Sequence, residues 1–306
     1  MQNSFAKSWY AIIHVDEIPK LKPLSIKRLN HDLVVWKTNN NDIVIMDDKC
    51  PHRSAKLSLG KICNNKIICP FHGFEFTHSG ICDFAPEFNK PINGLMVKTY
   101  PYKIIGDFVW VDLFNLGTTK FPKFEILSNL HNEFNGKYSY ITDIWNSHIT
   151  RCIENQLDYT HLPVVHHNTI GRNFKMPQDP KFIRDELSIT IYQKDNEQQK
   201  ISTEYIFSNA WILHISNQLK LLVYFVPIDE KHTLIYVIAY RKFMTNKFIK
   251  PIADIIMNIS NKIILHQDKK VVISQGLQPS YLMTDELLMK HDTAIRYFRE
   301  LWQNNL

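Results

Sequence analysis

Two short segments of the chain each place one cysteine beside one histidine. The first is CPH at residues 50–52, and the second, after sixteen intervening residues, is CPFH at residues 69–72. Zinc sites usually pair two cysteines or two histidines on one turn, whereas here each turn is mixed. A Rieske [2Fe–2S] cluster requires this mixture, because one of its irons is bound by two cysteines and the other by two histidines. The spacing therefore predicts such a cluster, with a zinc knuckle as the alternative, and the predicted ligands are Cys50, His52, Cys69 and His72.

A second set of possible metal ligands lies in the middle of the chain. A helix is predicted from about residue 150 to residue 162, where Pro163 should end it. Glu154, Asp158 and His161 are spaced so that they share one face of this helix. His166 lies five residues after His161, about 140° around a continuous helix, so both can bind one ion only if Pro163 turns the chain. Two histidines and one carboxylate form the facial triad of non-haem Fe(II) oxygenases.

The carboxylate of such a triad has to come from another part of the chain. Isoleucines recur at helical period after Pro251 and predict a long helix that reaches about Ser274. Asp268 lies on this helix one turn from Ile264, and we expect it to face inward with the apolar residues. Composition leaves three other candidates open, namely Asp254, Asp285 and Glu286.

The overall composition excludes several classes of function. The chain has 306 residues and contains 14 histidines but only 9 glycines, and the glycines form neither GxGxxG nor GxxxxGK[ST]. Binding of nicotinamide, flavin or ATP through those loops is therefore not expected. The formal net charge of +6 comes from scattered lysines, which indicates a solvated surface and no nucleic-acid partner.

The sequence also bears on the cellular compartment. The first residues lack the apolar core of a signal peptide, and no run of about 18 apolar residues predicts a membrane span. Five cysteines, an odd number, argue against a disulfide framework and for a reducing compartment or metal ligation. Cys63 and Cys82 have no histidine at matching spacing, and we interpret both as structural or incidental. The expected location is cytoplasmic.

The pattern of apolar residues predicts an α+β protein of two domains, residues 1–117 and 118–306. Short β-rich runs indicate that the first domain is all-β, and turn-forming residues 115–122 suggest the boundary. In the second domain, antiparallel strands precede the long helix, and a final helix is predicted over 285–302. The predicted strands are 9–15, 32–37, 42–47, 95–100, 108–113, 187–192, 200–207, 210–215, 219–226 and 233–240.

The cluster segments resemble a known family. CPHRSAKLSLG, CPFHGFEF and GICDFAP are similar to the Rieske domain of the Rieske non-haem iron oxygenases. They differ from the respiratory Rieske proteins, because Ala55 and Phe71 stand where that branch has two further cysteines. The Asp158-x2-His161-x4-His166 motif extends the resemblance into the second half. The whole chain is similar to the single-subunit oxygenases of the vanillate demethylase and pheophorbide oxygenase branches.

The resemblance implies a site and a fold for the second domain. In such a protein His161, His166 and Asp268 hold a mononuclear Fe(II), and Asp268 is followed seven positions later by a glutamine, Gln275. Asp158 connects His161 to the cluster ligand His72 of a neighbouring subunit, and Asn155 supports the iron-binding residues. His167 replaces His166 if the motif is shifted by one residue. The implied fold is a helix-grip (START-like) domain, in which an antiparallel sheet and a long helix enclose the substrate.

The implied activity is that of a terminal oxygenase. Electrons arrive from a separate reductase or ferredoxin, and dioxygen is used at the iron to hydroxylate or demethylate an organic, aromatic or otherwise apolar substrate. The short single chain favours a homotrimeric monooxygenase or demethylase over a ring-hydroxylating dioxygenase. The alternative is a Rieske electron-transfer protein whose C-terminal domain binds a ligand without catalysis.

Overall fold

The computed structural model describes residues 4–117, 122–175, 180–195 and 198–306. They divide into an N-terminal unit, Ile12–Asn115, and a C-terminal unit that combines Met1–Ala11 with Leu116–Leu306. The predicted boundary adjoins residues 118–121, which lie outside the described ones, so the division into 1–117 and 118–306 stays a prediction.

The N-terminal unit is formed by short strands, as predicted for an all-β domain. The strands of the first 115 residues form three sheets with the orders β1-β10-β9, β2-β3-β4 and β5-β6-β7-β8. The strands are β1 (Tyr10–His14), β2 (Leu24–Arg28), β3 (His31–Lys37), β4 (Ile43–Asp47), β5 (Lys61–Cys63), β6 (Lys66–Ile68), β7 (Glu75–Thr77), β8 (Cys82–Phe84), β9 (Tyr102–Ile105) and β10 (Phe108–Val111).

The strand predicted over residues 95–100 is not formed as a continuous strand. Its backbone bonds alternate between two sheets: the Val97 N–H donates to the Gly80 carbonyl at 2.8 Å, and the Tyr100 N–H donates to the Ile45 carbonyl at 2.9 Å. A segment that changes partners after a few residues leaves only isolated bridges, at Met96 and Thr99. The prediction was wrong because local β-propensity does not specify a single partner strand.

Two loops of the N-terminal unit, residues 50–55 and 69–74, repeat the same backbone turn. The Cys50 N–H donates to the Ala55 carbonyl at 2.8 Å, and the Cys69 N–H donates to the Phe74 carbonyl at 2.8 Å. The fifth residue of each loop closes the turn with a left-handed backbone, at φ 59° in one loop and 73° in the other. That residue is Ser54 in the first loop and Gly73 in the second.

The C-terminal unit is a seven-stranded sheet with helices. The strand order is β11-β17-β16-β15-β14-β13-β12, with antiparallel pairs throughout. The helices are α1 (Phe124–Glu133), α2 (Ile149–Leu157), α3 (Leu162–Val165), α4 (Lys250–Ser274) and α5 (Thr293–Gln303). The strands are β11 (Tyr138–Trp145), β12 (Lys181–Asp185), β13 (Ser188–Asp195), β14 (Gln198–Ile206), β15 (Ala210–Ser216), β16 (Leu219–Asp229) and β17 (His232–Arg241).

One face of this sheet carries α4 and α5. Asp143 on β11 binds Lys269 on α4, and Tyr205 on β14 packs edge-on against Phe298 on α5, with ring centroids 5.3 Å apart. The strand register places Asp143 and Tyr205 on the same side of the sheet. Helix α2 packs against α4 and α5. The arrangement is a sheet with a long helix along one face, as the resemblance implied.

The single helix predicted over 150–162 is in fact two helices. The chain leaves α2 at Asp158, whose carboxylate accepts bonds from the Thr160 N–H at 2.7 Å and the Thr160 hydroxyl at 2.6 Å. This local turn competes with the helix and ends it five residues before Pro163. Pro163 lies in the first turn of α3, where its missing N–H costs nothing. The prediction that Pro163 ends the helix was therefore wrong.

The long helix is confirmed, but its apolar stripe does not face inward. Helix α4 extends from Lys250 to Ser274, whereas Ile252, Ile255, Ile256, Ile259 and Ile263 are 50–60% exposed. The last helix begins at residue 293 rather than 285, because residues 290–292 form a separate turn. None of the helices in the described ranges combines the length and the apolar character needed to cross a bilayer.

Asn209, in the turn between β14 and β15, binds backbone groups of two strands, β1 and β16. Its amide donates to the Ala11 carbonyl at 2.9 Å and to the Phe225 carbonyl at 3.1 Å, and its carbonyl accepts from the Ala11 N–H at 3.1 Å. The side chain is fully buried. The backbone groups that it binds are therefore out of reach of water, which could not take the place of the Asn209 amide.

We predict that Asn209→Ala lowers the free energy of unfolding by about 2–4 kcal/mol, because it leaves three buried backbone groups unpaired. Urea unfolding followed by circular dichroism measures the change. The matched control is Asn217→Ala on an exposed turn, for which we expect less than about 0.5 kcal/mol. Equal effects of the two substitutions would contradict the role assigned to Asn209.

The two related loops should respond differently to substitution at their left-handed residues. A Cβ on Gly73 would lie 3.1 Å from Pro86 Cγ and would sit at φ +73°, so Gly73→Ala should cost about 1–2 kcal/mol. Ser54→Gly relieves the same backbone strain and should be neutral or stabilising. Thermal unfolding and the visible absorbance per chain, which reports a bound cluster, measure both. Equal loss in the two variants would show that the loops do not share this constraint.

Candidate metal centres

The four predicted cluster ligands lie at the tips of the two related loops. The thiols of Cys50 and Cys69 are buried, at 1% and 2% exposure, and interact with each other. The imidazoles of His52 and His72 are exposed, with ring centroids 4.6 Å apart. The loops therefore present two thiols on the inside and two imidazoles on the outside.

The arrangement of these donors fits a two-iron cluster better than one zinc ion. A zinc ion binds its ligands at about 2.0–2.3 Å, which brings the donor atoms within about 4 Å of one another. Among the described residues, these four do not form a group in which three or more donor atoms lie within 4.8 Å of one another. The separate thiol and imidazole pairs match a cluster whose two irons have different ligands.

The environment of Cys50 keeps its thiol protonated without a metal. Burial, together with the contact to Cys69, raises the pKa of Cys50 to about 11. A bound cation is therefore needed to form the thiolate at neutral pH. Both thiols belong to an apolar cluster that also contains Cys82, whereas Cys63 is exposed. Neither of these last two cysteines joins the four donors.

The second constellation is brought together by α3 and α4. Donor atoms of His161, His166 and Asp268 all lie within 4.8 Å of one another. Asp268 Oδ1 is 3.0 Å from His166 Nε2 and 3.5 Å from His161 Nε2. His166 and Asp268 are almost fully buried, at 1% and 4% exposure. The structure thus places together the three residues named from the sequence.

Short-range features explain how the two histidines meet. His161 precedes α3 and His166 follows it, so one short helical segment turns both rings toward the same point. The chain then returns past His166, and the Gly171 N–H donates to the His166 carbonyl at 3.0 Å. A Cβ on Gly171 would lie 1.9 Å from the Leu162 carbonyl oxygen. Only glycine allows this close return.

Three residues that the sequence did not single out hold the ligands in place. Gln267 Oε1 accepts from His166 Nδ1 at 2.8 Å and from the Thr169 hydroxyl at 3.0 Å. Gln156 Nε2 lies 3.5 Å from Asp268 Oδ2. These contacts orient the ring of His166 so that Nε2 faces Asp268. In the sequence, the only indication of this role for Gln267 is that it directly precedes Asp268.

Charges around His161 favour its protonated form. Burial lowers the pKa of this imidazole, but Asp158 and Asp268 outweigh burial and raise the pKa to about 9. Burial likewise raises the pKa of Asp268, whereas the two histidines lower it to about 2. Asp158 Oδ2 lies 3.7 Å from His161 Nδ1, on the side of the ring away from Asp268. At neutral pH the residues therefore carry a proton that a metal ion would have to displace.

A buried oxygen atom of the triad that lacks a hydrogen bond also fits a metal site. Asp268 Oδ1 is buried and close to two imidazole nitrogens, yet no hydrogen bond reaches it. Three donors that converge without bonding one another match the requirement of a divalent ion. Two imidazoles and one carboxylate are the donor set typical of non-haem Fe(II), with coordination positions left for other ligands.

The remaining sequence candidates lie elsewhere or point away. His167 is exposed, and its Nδ1 contacts the Val164 carbonyl at 2.9 Å, so the one-residue shift is not favoured. Glu154 binds Arg299 and does not share a face with Asp158 and His161, contrary to the prediction from helical spacing. Asn155 has a buried amide nitrogen without a partner.

The alternative carboxylates are engaged in other contacts or exposed. Asp254 binds Arg241, and Glu286 binds Arg151. Asp285 is exposed, as is Gln275 at the end of α4. Asp268 is therefore the carboxylate that the structure places beside the two histidines.

Comparisons with known proteins agree with the first constellation. A family model described as the Rieske [2Fe-2S] domain matches residues 8–101. Methylxanthine N1-demethylase NdmA of Pseudomonas putida is 32% identical over 170 residues, 53% of this chain and 47% of the relative. Methylxanthine N3-demethylase NdmB of the same organism is 28% identical over 174 residues, 53% of this chain and 48% of the relative. The matches thus span about half the length of these curated relatives.

A solved structure extends the similarity over the whole fold. The crystal structure of dicamba monooxygenase bound to dicamba matches 98% of this chain and 98% of its own, with a TM-score of 0.74 and 18% identity. This likeness concerns the fold, including the sheet and helices that carry the triad. The cluster motif and the family model thus show a Rieske [2Fe-2S] domain in the N-terminal part of the chain, and the chain as a whole has the fold seen in the dicamba monooxygenase structure.

Proposed function

We propose that the chain is the terminal oxygenase of a Rieske non-haem iron system, with a [2Fe–2S] cluster held by Cys50, His52, Cys69 and His72. The observation that carries the proposal is the convergence of a two-histidine, one-carboxylate triad in the C-terminal unit, with His166 and Asp268 buried and His161 partly buried. A simple electron carrier has no use for such a second site. When bound, the cluster transfers single electrons, and the mononuclear iron brings dioxygen and substrate together.

The chain's own residues organise the second site. His161, His166 and Asp268 are the proposed ligands of Fe(II), and Gln267 fixes the ring of His166. Asp158 holds the opposite edge of His161, and we assign it the connection to His72 of the partner subunit in a homotrimer. A carboxylate between two imidazoles fixes their orientation and tautomers, which an electron path through them requires.

The names of two relatives and the composition of the chain support a type of reaction and of electron donor. Two relatives have names that describe N-demethylases, which supports hydroxylation or demethylation of an organic, aromatic or otherwise apolar substrate rather than ring dihydroxylation. The electron donor is a separate reductase or ferredoxin, because the chain lacks a nucleotide-binding fingerprint. The five cysteines are all free, which fits a reducing, cytoplasmic location. The proposed domains are residues 1–117 and 118–306.

Metal analysis and one histidine substitution test the function. We expect about three irons and two sulfides per chain. His161→Ala should remove about one iron and abolish substrate-dependent oxygen consumption, while the visible spectrum of the cluster stays unchanged. His167→Ala, at the neighbouring exposed histidine, is the control and should retain both. About two irons in the unaltered protein, with oxygen consumption absent, would support the electron carrier instead.

Binding of a metal ion to the triad should release a proton. With the pKa of His161 raised to about 9, its proton stabilises the metal-free fold fully below about pH 6.5, and this contribution is lost as the pH rises through about 9. A metal needs the neutral ring, so Co(II) affinity should rise with pH and level off above about 9.

Isothermal titration of Co(II) at pH 7, in buffers of different ionisation enthalpy, measures the protons released. We expect about one per ion for the unaltered protein and for His167→Ala. Release of no proton at pH 7 would mean that His161 is neutral before the metal binds, against the charge arrangement described above.

A further inference from the structure

Helix α4 departs from the usual amphipathic arrangement, because its buried face mixes Ala253, Leu265 and Val272 with polar residues. Its outer face exposes a stripe of isoleucines at 50–60%, whereas Asn261 on its inner face is 6% exposed and Asn258 is half-buried. A surface helix ordinarily turns its apolar stripe to the core and its amides to water. Where a sequence breaks this rule, the inner polar residues usually serve a function.

The inner amides lack partners within the described protein. Asn258 Oδ1 and Asn261 Nδ2 are buried and make no hydrogen bond. Asn155 Nδ2 on α2 is in the same state. Buried polar groups are nearly always paired, and an unpaired amide destabilises the fold. Three unpaired amides on two packed helices therefore indicate a binding partner for them.

The sheet opposite α4 carries unpaired polar atoms as well. Asp143 contacts Lys269 of α4, so the side of β11 that bears Asp143 faces this helix, and Ser139 shares that side. By the register of the cross-strand pairs, Trp211 and Thr203 lie on this same side of the sheet. The Ser139 hydroxyl, the Trp211 indole nitrogen and the Thr203 hydroxyl are buried without hydrogen bonds.

The part of this sheet face between these polar groups is apolar. By the same register, the residues between these polar groups are Ile141, Leu213, Leu221, Val223 and Val237. An apolar surface with a few convergent polar groups is the usual lining of a small-molecule site.

The cations of this layer are already paired. Lys269 lies 2.9 Å from Asp143, and Arg241 and Lys250 each lie 2.7 Å from Asp254. Arg241 Nε makes no hydrogen bond, but its guanidinium is neutralised by the ion pair with Asp254. The unpaired atoms of Ser139, Thr203, Trp211, Asn258 and Asn261 in this layer belong to neutral hydroxyls, an indole and amides. A substrate carboxylate would find no free cation there, and Asp268 would repel it.

The amides are close to the proposed iron ligands along the chain. Asn261 precedes Asp268 by two helical turns, about 10 Å, on the same buried face of α4. Asn155 directly precedes Gln156, whose amide contacts Asp268. A molecule bound by these amides would therefore lie beside the triad.

We propose that the substrate is an uncharged ring compound that carries both a hydrogen-bond acceptor and a donor, as in a cyclic amide. It binds between α4 and the sheet, where Asn155, Asn258 and Asn261 pair with its polar atoms. This inference rests on the proposed function and narrows its substrate class from apolar compounds in general. A site built to hydrogen-bond a ligand discriminates strongly against an analogue that lacks the polar group.

Three bicyclic probes of similar size test the proposal. They are 2-quinolone, a neutral cyclic amide; naphthalene, its hydrocarbon analogue; and 2-naphthoate, a carboxylate. Equilibrium dialysis against the iron-loaded protein under argon measures binding without turnover. We expect the Kd of 2-quinolone to be at least about tenfold below those of the other two.

Substitution of the amides should reverse this preference. The double variant Asn258→Leu, Asn261→Leu should raise the Kd of 2-quinolone at least about tenfold and leave that of naphthalene unchanged or lower. Its Tm should not fall, because leucine has a similar volume and removes unpaired polar groups. Ser260→Ala, at an exposed position of the same helix, is the control and should change neither constant. Asn155→Leu, on α2, gives the same readout should the double variant fail to fold.

The outcomes separate this inference from the proposed function. If 2-quinolone binds no more tightly than naphthalene or 2-naphthoate, the inference is overturned, and a third iron with oxygen consumption would still support the oxygenase. A large fall in Tm of the double variant with unchanged 2-quinolone binding would also overturn it, since the amides would then be structural. Preferential binding of 2-quinolone to a protein that holds no third iron would support the proposed binding site and contradict the proposed oxygenase function.

Discussion

A carboxylate buried between two imidazoles organises the C-terminal unit. Asp268 is almost completely removed from water, and a buried charge is tolerated only where partners compensate for lost hydration. Its partners, His161 and His166, come from a different part of the chain. Helix α4 must therefore cross the sheet at a depth and angle that bring Asp268 to α3. The ion pair between Lys269 and Asp143 fixes this crossing on the neighbouring side of the helix.

The local structure around the histidines serves the same contact. The Asp158 carboxylate ends α2 by binding Thr160, and the same residue faces His161. One side chain thus shapes the turn and sets the charge beside the imidazole. The close return of the chain at Gly171 keeps His166 in the interior. Loss of any of these features would separate the donors, because each acts on the backbone that carries them.

In the N-terminal unit, a repeated backbone turn positions the four proposed cluster ligands. Two loops of the same backbone form hold the thiols in an apolar core and leave the imidazoles at the surface. Burial raises the pKa of the Cys50 thiol, so a bound metal is needed for its ionisation at neutral pH, while the imidazoles are exposed to solvent. Cluster potentials depend on ligand charge, hydrogen bonds and exposure to solvent. By burying the thiols and exposing the imidazoles, the fold therefore sets conditions on which electron transfer depends.

The sequence alone predicted the cluster ligands, the two histidines, the fold class and the long helix, because mixed Cys–His turns, a two-histidine motif and helical periodicity are local patterns. Local patterns left four carboxylates open, and the tertiary structure brings Asp268 beside the histidines. Other features depended on partners distant in the chain. The segment 95–100 divides its bonds between two sheets, and Gln267 acquires its role only where α4 meets His166. The isoleucine stripe of α4 predicted a helix but pointed to the wrong face. Periodicity fixes which residues share a face, whereas the tertiary structure decides which face is buried, because burial depends on the polar and charged groups that the rest of the chain brings against it.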